Sequence, residues 1–272
     1  MAIRDLVRGT VGWSQLEAVA LELARRRDRD EIRVEFLEAD NWLSVPCVVD
    51  GELFVKMITR QNAMVQAVFT AGRNLGAVTT GRQGFFQRSC DPVEMAEREF
   101  EATRRIREAG INAPAPVDAF KLDGLGVLVL EYLPEFRPIG DLSTDELRAV
   151  VDDVFGCLAR LHDHGLVHGD LHAQNVLLCG DELYFIDATS IRDDAADTDC
   201  PGHARAQAHD LACALGMLVP RLGARDTVRA ALNHYDCDAL VRASEFLDFV
   251  NLRFEHRFDA AEVKGEIEKV AA

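Results

Sequence analysis

Lysine is nearly missing from this chain of 272 residues: Lys56, Lys121, Lys264 and Lys269 are the only four among 30 basic side chains, and the rest are arginine. Basic charge as a whole is in deficit, 30 residues against 46 acidic ones, for a formal net charge of −16. Nucleic acid and anionic membrane would both repel such a surface over a Debye length, so direct nucleic-acid binding and membrane attachment are not expected. The Arg-over-Lys usage with abundant Asp and Glu fits a high-salt cytoplasm, or a GC-rich genome with an ordinary acidic surface. Cysteine pairing is lacking too. The seven cysteines (47, 90, 157, 179, 200, 213, 237) form no C-x-x-C motif and are odd in number, which predicts free thiols in a reducing compartment and no structural zinc. No run of about 18 apolar residues occurs, so no membrane span is expected. The first residues, MAIRDLVRGTVGW, carry Asp5 and no apolar stretch, so no signal peptide is expected either and the expected location is cytoplasmic. What is present is a 48% hydrophobic chain, able to bury one large core or two modest ones.

The pattern along the chain predicts an α+β fold in two lobes. Leu16, Val19, Leu21 and Leu23 mark a short amphipathic helix ending in the basic patch 25–27, a solvated helix end with no chemistry assigned. From residue 31 the texture becomes β-rich: IRVEFLEA, VPCVVD and ELFVKMI read as three antiparallel strands, with Asp50-Gly51 as a hairpin signal. A helix is expected over 60–74, then a glycine-rich loop whose spacing fits neither dinucleotide nor P-loop patterns. A strong helix is expected over 93–109, stopped by Gly110, and the prolines of INAPAP force extended chain after it. VDAFKLDG and LGVLVLEYL complete the sheet. PEFRPIGD marks the lobe boundary, giving an N-terminal lobe over 1–132 and a C-terminal lobe over 133–272. In the second lobe Leu147, Val151, Val154, Leu158 and Leu161 form one helical stripe closed by Gly165, NVLLCGDELYFID forms two short strands, and everything beyond 203 is helical in pattern.

Three features carry chemistry. Lys56 lies inside the apolar strand LFVKMI and is the only lysine in the first 120 residues, where fifteen arginines occur. Lysine in a chain that otherwise chooses arginine suggests a need for a compact point charge, although a solvent-facing strand residue gives the same pattern. Glu99 shares a helix face with Ala96, Phe100, Thr103 and Ile106, so its carboxylate lies on the buried side and needs a partner, for which Lys56 is the candidate; Glu97 and Glu101 are the alternatives. Third, LVHGDLHAQNVLL and LYFID set Asp170, Asn175 and Asp187 at one end of a hairpin. Three oxygen ligands at strand ends suit a hard cation with bound phosphates, and a carboxylate not spent on metal can accept a nucleophile's proton. A rival reading makes His162, His164, His168, Asp170 and His172 a zinc or iron hydrolase site, at the cost of leaving Lys56 and Asp187 unexplained.

These residues resemble a protein-kinase-like fold, and most closely the RIO-type atypical kinases. AEREFEATRRIREAGINAPAP resembles that family's C-helix, HGLVHGDLHAQNVLL its catalytic loop, LYFIDATS its metal-binding loop, and FVKMI the strand carrying the ATP-binding lysine. The resemblance covers about 30 to 215 and implies a bilobal fold, an antiparallel N-lobe sheet with its C-helix and a mainly helical C-lobe. It implies ATP with Mg2+ or Mn2+ as cofactors. Lys56 would hold the α- and β-phosphates, Glu99 would position Lys56, and the backbone of Glu131 to Leu133 would meet adenine. Asp170 would serve as catalytic base, Asn175 and Asp187 as metal ligands, and Asp210 as the brace of the catalytic loop. The acceptor is not named by the sequence. The hairpin LEADNWLSVP has no glycine, so phosphate contacts near Asn41 and Ser44 are the expectation in place of a Gly-rich loop; Phe54 shares the face of Lys56, DAT stands for DFG, and no APE-like segment follows. HGDLHAQN and the glycine-free hairpin also resemble aminoglycoside and choline phosphotransferases, so a small-molecule kinase is the alternative, with an ATPase switch as a third class.

Overall fold

The computed structural model describes residues 11–37, 44–63, 91–188, 201–252 and 257–272. The chain divides into two compact units, Met1–Arg104 with Pro114–Pro134, and Arg105–Ala113 with Glu135–Ala272.

The first unit is a five-stranded antiparallel sheet of β1 (Val34–Phe36), β2 (Val45–Val49), β3 (Leu53–Ile58), β4 (Pro116–Leu122) and β5 (Leu125–Glu131), in the order β1-β2-β3-β5-β4. Two Asp-Gly pairs make its tight turns. Asp50 and Gly51 (φ 55° and 69°) turn β2 into β3, and Asp123 and Gly124 (φ 47° and 80°) turn β4 into β5. Positive φ at both central residues matches the right-handed twist of the paired strands, and Asp and Gly tolerate it.

Strand alternation divides the apolar residues between two faces. Leu53, Val55 and Met57 join Cys47, Val49, Val127 and Val129 on one face, where Val19 and Leu23 of helix α1 (Trp13–Arg26) cover them. Ile58, Leu128, Leu130 and Phe54 lie on the other, against Ala96, Met95 and Phe100 of helix α2 (Pro92–Glu108). Helices on both faces explain why LGVLVL is apolar throughout instead of alternating. The basic patch that ends α1 is paired as well as solvated. Arg25 and Arg26 both bond Glu22, Arg26 also reaches Asp118 at 2.7 Å, and Arg27 reaches Glu52 at 2.7 Å. The two guanidiniums hold the Glu22 carboxyl down at about 2.

The second unit opens with β6 (Arg137–Pro138), which the sequence pattern did not suggest; it pairs with β7 (Val176–Cys179), which pairs with β8 (Glu182–Phe185). Helix α3 (Thr144–Asp163) starts at a capping box, Ser143 Oγ accepting from Glu146 N while Glu146 accepts from Ser143 N. Helices α4 (Pro201–Leu222), α5 (Ala224–Leu232), α6 (Cys237–Ser244), α7 (Leu247–Asn251) and α8 (Ala260–Ala271) follow, as the helical pattern beyond 203 predicts. Of the helix expected over 60–74, residues 60–63 are helical; the rest of it, the glycine-rich loop after it and Asn41 lie outside the described residues. Cys47, Cys157, Cys179, Cys213 and Cys237 are free thiols, and burial pushes Cys47 up to about 12.

Candidate active site

Lys56 projects from β3 on the α2 face of the sheet, and Glu99, one turn past Ala96 on α2, meets it. Lys56 Nζ donates to Glu99 Oε1 at 2.8 Å and Oε2 at 3.0 Å, with both side chains about nine-tenths buried. The competing carboxylates are elsewhere: Glu97 is exposed and Glu101 bonds Arg104. The approach of α2 to the sheet depends on Gly126, where a Cβ would stand 1.9 Å from the Pro92 carbonyl oxygen. Thr103 Oγ1 donates to the Glu99 carbonyl at 2.8 Å and ties the same turn. Phe54 fills the face beside Lys56, packed with Met95, Phe100 and Ile58. At the strand end after β5, Glu131 N–H donates to Ala115 O and Tyr132 N–H to Glu52 O, so these two amides are committed to the sheet, while Leu133 is buried.

In the second unit the segment 168–175 is wound around a buried anion. Asp210 of α4 is fully buried and accepts from His168 N at 2.6 Å and Gly169 N at 3.0 Å. Burial alone raises its carboxyl, but contact with His162 and the surrounding histidines hold it below the ordinary range, and the two backbone donors favour the same charged form. Gly169, at φ 82°, makes the turn that presents consecutive amides to one carboxylate. Asp170 follows, partly exposed, and its carbonyl accepts from Asn175 Nδ2 at 2.9 Å. That bond leaves the Asn175 Oδ1 outside this contact. Asn175 O in turn accepts from Ile186 N at 3.0 Å, which brings the residue before Asp187 alongside Asn175. Asp187 itself sits at φ 58°, a left-handed conformation costing roughly 1 kcal/mol or more.

The histidines are engaged one by one. His164 caps α3 with Nδ1 against Arg160 O, His172 Nδ1 accepts from Gln174 N, and His168 is fully buried edge-on to Phe185. Among the described residues no group of three or more His, Cys, Asp or Glu side chains is arranged to hold a metal, so the zinc-cluster reading finds no geometry. Asn175 Oδ1 and the Asp187 carboxylate are oxygen donors of the kind a hard divalent cation takes with nucleotide oxygens and water completing its shell.

Supports that the sequence reading missed surround the loop. His162, treated there as a helix-end histidine, is buried with Nδ1 2.9 Å from Tyr235 Oη and Nε2 3.6 Å from Asp210 Oδ2. Gln207 Nε2 donates to His162 O. The 3-10 turn Ile139–Asp141 holds the loop from its other side: Gly140 N donates to Ala173 O, and Arg221 donates to Gly140 O and Leu142 O. A Cβ on Gly140 would stand 2.8 Å from Gln174 Nε2. The S-x-x-E spacing of the α3 cap was legible in principle; Tyr235 and Arg221 carried no local signal.

Residues 87–196 match the RIO domain family model. The KEOPS complex subunit Bud32 of Pyrococcus abyssi is 34% identical over 98 residues, 35% of this chain and 43% of that protein. A probable bifunctional tRNA threonylcarbamoyladenosine biosynthesis protein of Methanosarcina barkeri is 37% identical over 167 residues, 58% of this chain and 29% of its own. The RIO-type serine/threonine-protein kinase Rio1 of Haloferax volcanii is 30% identical over 94 residues, 33% of this chain and 31% of that one. The chain thus spans less than half the length of these curated relatives. Among solved structures, the PknI kinase domain of Mycobacterium tuberculosis aligns over 88% of this chain and 94% of that one, at 18% identity and a TM-score of 0.45. An antiparallel sheet with its helix, followed by a helical part, gives an α+β architecture.

Proposed function

We propose that the chain is an ATP-dependent phosphotransferase of RIO type. The observation that carries this reading is the buried Lys56–Glu99 pair. Burying two opposite charges seldom stabilises a fold more than apolar side chains of the same volume would, so such a pair is better explained by use than by stability. Glu99 takes Lys56 with both oxygens, which aims a compact cation for the α- and β-phosphates of ATP. Leu133 N–H is the hinge donor for adenine, because the Glu131 and Tyr132 amides are already used; Glu131 contributes its carbonyl.

Asp170 faces the acceptor. As the acceptor oxygen bonds to the γ-phosphorus and the bond to the ADP oxygen breaks, the acceptor's proton passes to the Asp170 carboxylate and ADP leaves. Asn175 and Asp187 would hold Mg2+ or Mn2+, which when bound neutralises charge on the phosphate oxygens. The chain's own contribution is positioning: Asp210 fixes the backbone of 168–169, and the Asn175 bond to Asp170 O fixes where the carboxylate emerges.

A second reading keeps the site and replaces the acceptor by water, with nucleotide state governing a partner; similarity to a KEOPS complex subunit favours it. ATP turnover measured alone, with a protein substrate, and with aminoglycosides or choline separates the acceptor classes. Lys56→Ala should bring turnover to background in every arm while the protein melts as a folded species. Wild-type turnover in that variant would overturn the proposal.

A further inference from the structure

We infer that Phe54 is the platform on which the nucleotide base stacks, and so a specificity-determining residue of the site; the inference rests on the function proposed above. β3 is the middle strand of the five-stranded sheet, and of its six residues Phe54 alone is half-buried while the other five are buried. A phenyl ring gains more from burial than most side chains do, so one left half-open in the centre of a sheet presents an apolar surface for something flat to cover.

The placement says what that is. Strand alternation puts Phe54 on the face of Lys56, two residues or about 7 Å along β3. Helix α2 meets this face at Gly126, opposite Ile58, and through Glu99 at Lys56, so Phe54 lies on the side of Lys56 away from the start of α2. Its cross-strand neighbours, Val48 on β2 and Leu130 on β5, are buried and extend the apolar surface to either side. One residue further along β3, Leu53 pairs with Glu131, beside the proposed hinge. A nucleotide with its phosphates at Lys56 and its base edge at residues 131–133 must lay the base across Phe54. All of these residues belong to the first unit.

Magnitudes decide what the site reads. Stacking a base on an aromatic ring contributes more than one ordinary hydrogen bond at its edge, and it does so for any base, because every base has a π-face. The edge is sparsely read, since the Glu131 and Tyr132 N–H groups are committed to the sheet. Purine nucleotides are therefore held by the face more than by the edge, and ATP and GTP should bind within about tenfold of each other, the scale of one lost hydrogen bond.

Calorimetric affinities of the full chain for ATP, GTP and inorganic tripolyphosphate, each with Mg2+, test this in wild type, Phe54→Ala and Phe54→Trp. Phe54→Ala should weaken ATP and GTP by the same factor, about tenfold, and leave tripolyphosphate, which has no base, unchanged. Phe54→Trp should keep both nucleotides. Its added indole emission should be quenched by ATP and GTP and not by tripolyphosphate, beyond any change that Trp13 and Trp42 give in wild type. A role in packing alone would weaken all three ligands together in Phe54→Ala. That result, or Phe54→Ala binding nucleotides as tightly as wild type or more tightly, overturns the inference and leaves the proposed function standing; so does a preference for ATP over GTP well above tenfold. A wild type that binds no nucleotide overturns the proposed function, and this inference with it.

Discussion

At the scale of the residue, the informative contrast is between a buried ion pair and a partly exposed carboxylate. Lys56 is held by both oxygens of Glu99. Glu99→Gln should therefore cost less turnover than Lys56→Ala, since the amide still accepts one bond from the ammonium. The double variant should fall far short of the product of the two effects, as expected for groups acting as a unit; multiplicative kcat losses would show that the pair does not. Asp170, by contrast, is partly exposed with its carbonyl pinned by Asn175. Asp170→Asn should leave nucleotide affinity intact and slow transfer by roughly 10²–10⁴-fold, the worth of a general base. Asp187→Asn should abolish the dependence of ATP affinity on added Mg2+ or Mn2+, read by titration of the metal, and His164→Ala should leave it untouched.

At the scale of the element, one glycine sets how closely two chain segments approach. Gly126 lets the N-terminus of α2 lie against β5, and a methyl there would fall 1.9 Å from Pro92 O. Gly126→Ala must push α2 outward or bend β5, at a cost of about 1–3 kcal/mol in stability and with Lys56 losing its second contact. Urea melts give the first quantity, and ATP affinity reports the second. The 168–175 loop has its own anchor in α4. Asp210→Asn removes the charge from an acceptor of two backbone N–H groups and should cost about 3 kcal/mol, since hydrogen bonds to a buried carboxylate are the strong kind. An equally stable Asp210→Asn variant would show that the loop is held by the Gly140 and Arg221 contacts instead.

At the scale of the whole molecule, pH is the lever. Burial lowers the pKa of His168, so the folded state keeps it neutral while the unfolded chain takes up a proton below its ordinary 6.5. More protons bound by the unfolded state means stability falls as pH falls, beginning at that value and continuing down to the lowered folded value. Asp210, also lowered, acts with the same sign at more acid pH: its contribution is present above the ordinary 3.8 and is lost as pH drops through the folded value. Denaturant midpoints should therefore decline from pH 7.5 to 5, and His168→Gln should show a shallower decline even though it is less stable throughout. A parallel decline in both would assign the effect to other histidines. The charge of −16 adds self-repulsion at neutral pH, which added potassium chloride should relieve.

Much of this was legible in the sequence because it is local. Strand alternation, the Asp50-Gly51 turn, the apolar stripe of α3 and the buried face of α2 each follow from spacings within one element, and that face nominated Glu99, although only its contact with Lys56 separates it from Glu97 and Glu101. The order and spacing of HGDLHAQN and LYFID were enough to nominate Asp170, Asn175 and Asp187. Contacts between residues far apart in the chain were beyond that reach. His162 meets Tyr235 seventy-three positions later, Arg221 reaches back to Gly140 across eighty-one, and β6 is two residues long with no period to detect. Periodicity reports which face of an element is buried, not which distant side chain fills the space beside it. The sequence by itself determined most of the elements and nominated residues able to do chemistry; only the tertiary structure decided that a phenol, an imidazole and a buried carboxylate stand in line behind the 168–175 loop, because that alignment arises from the packing of α3, α4 and the turn after α5 and from no single stretch of chain.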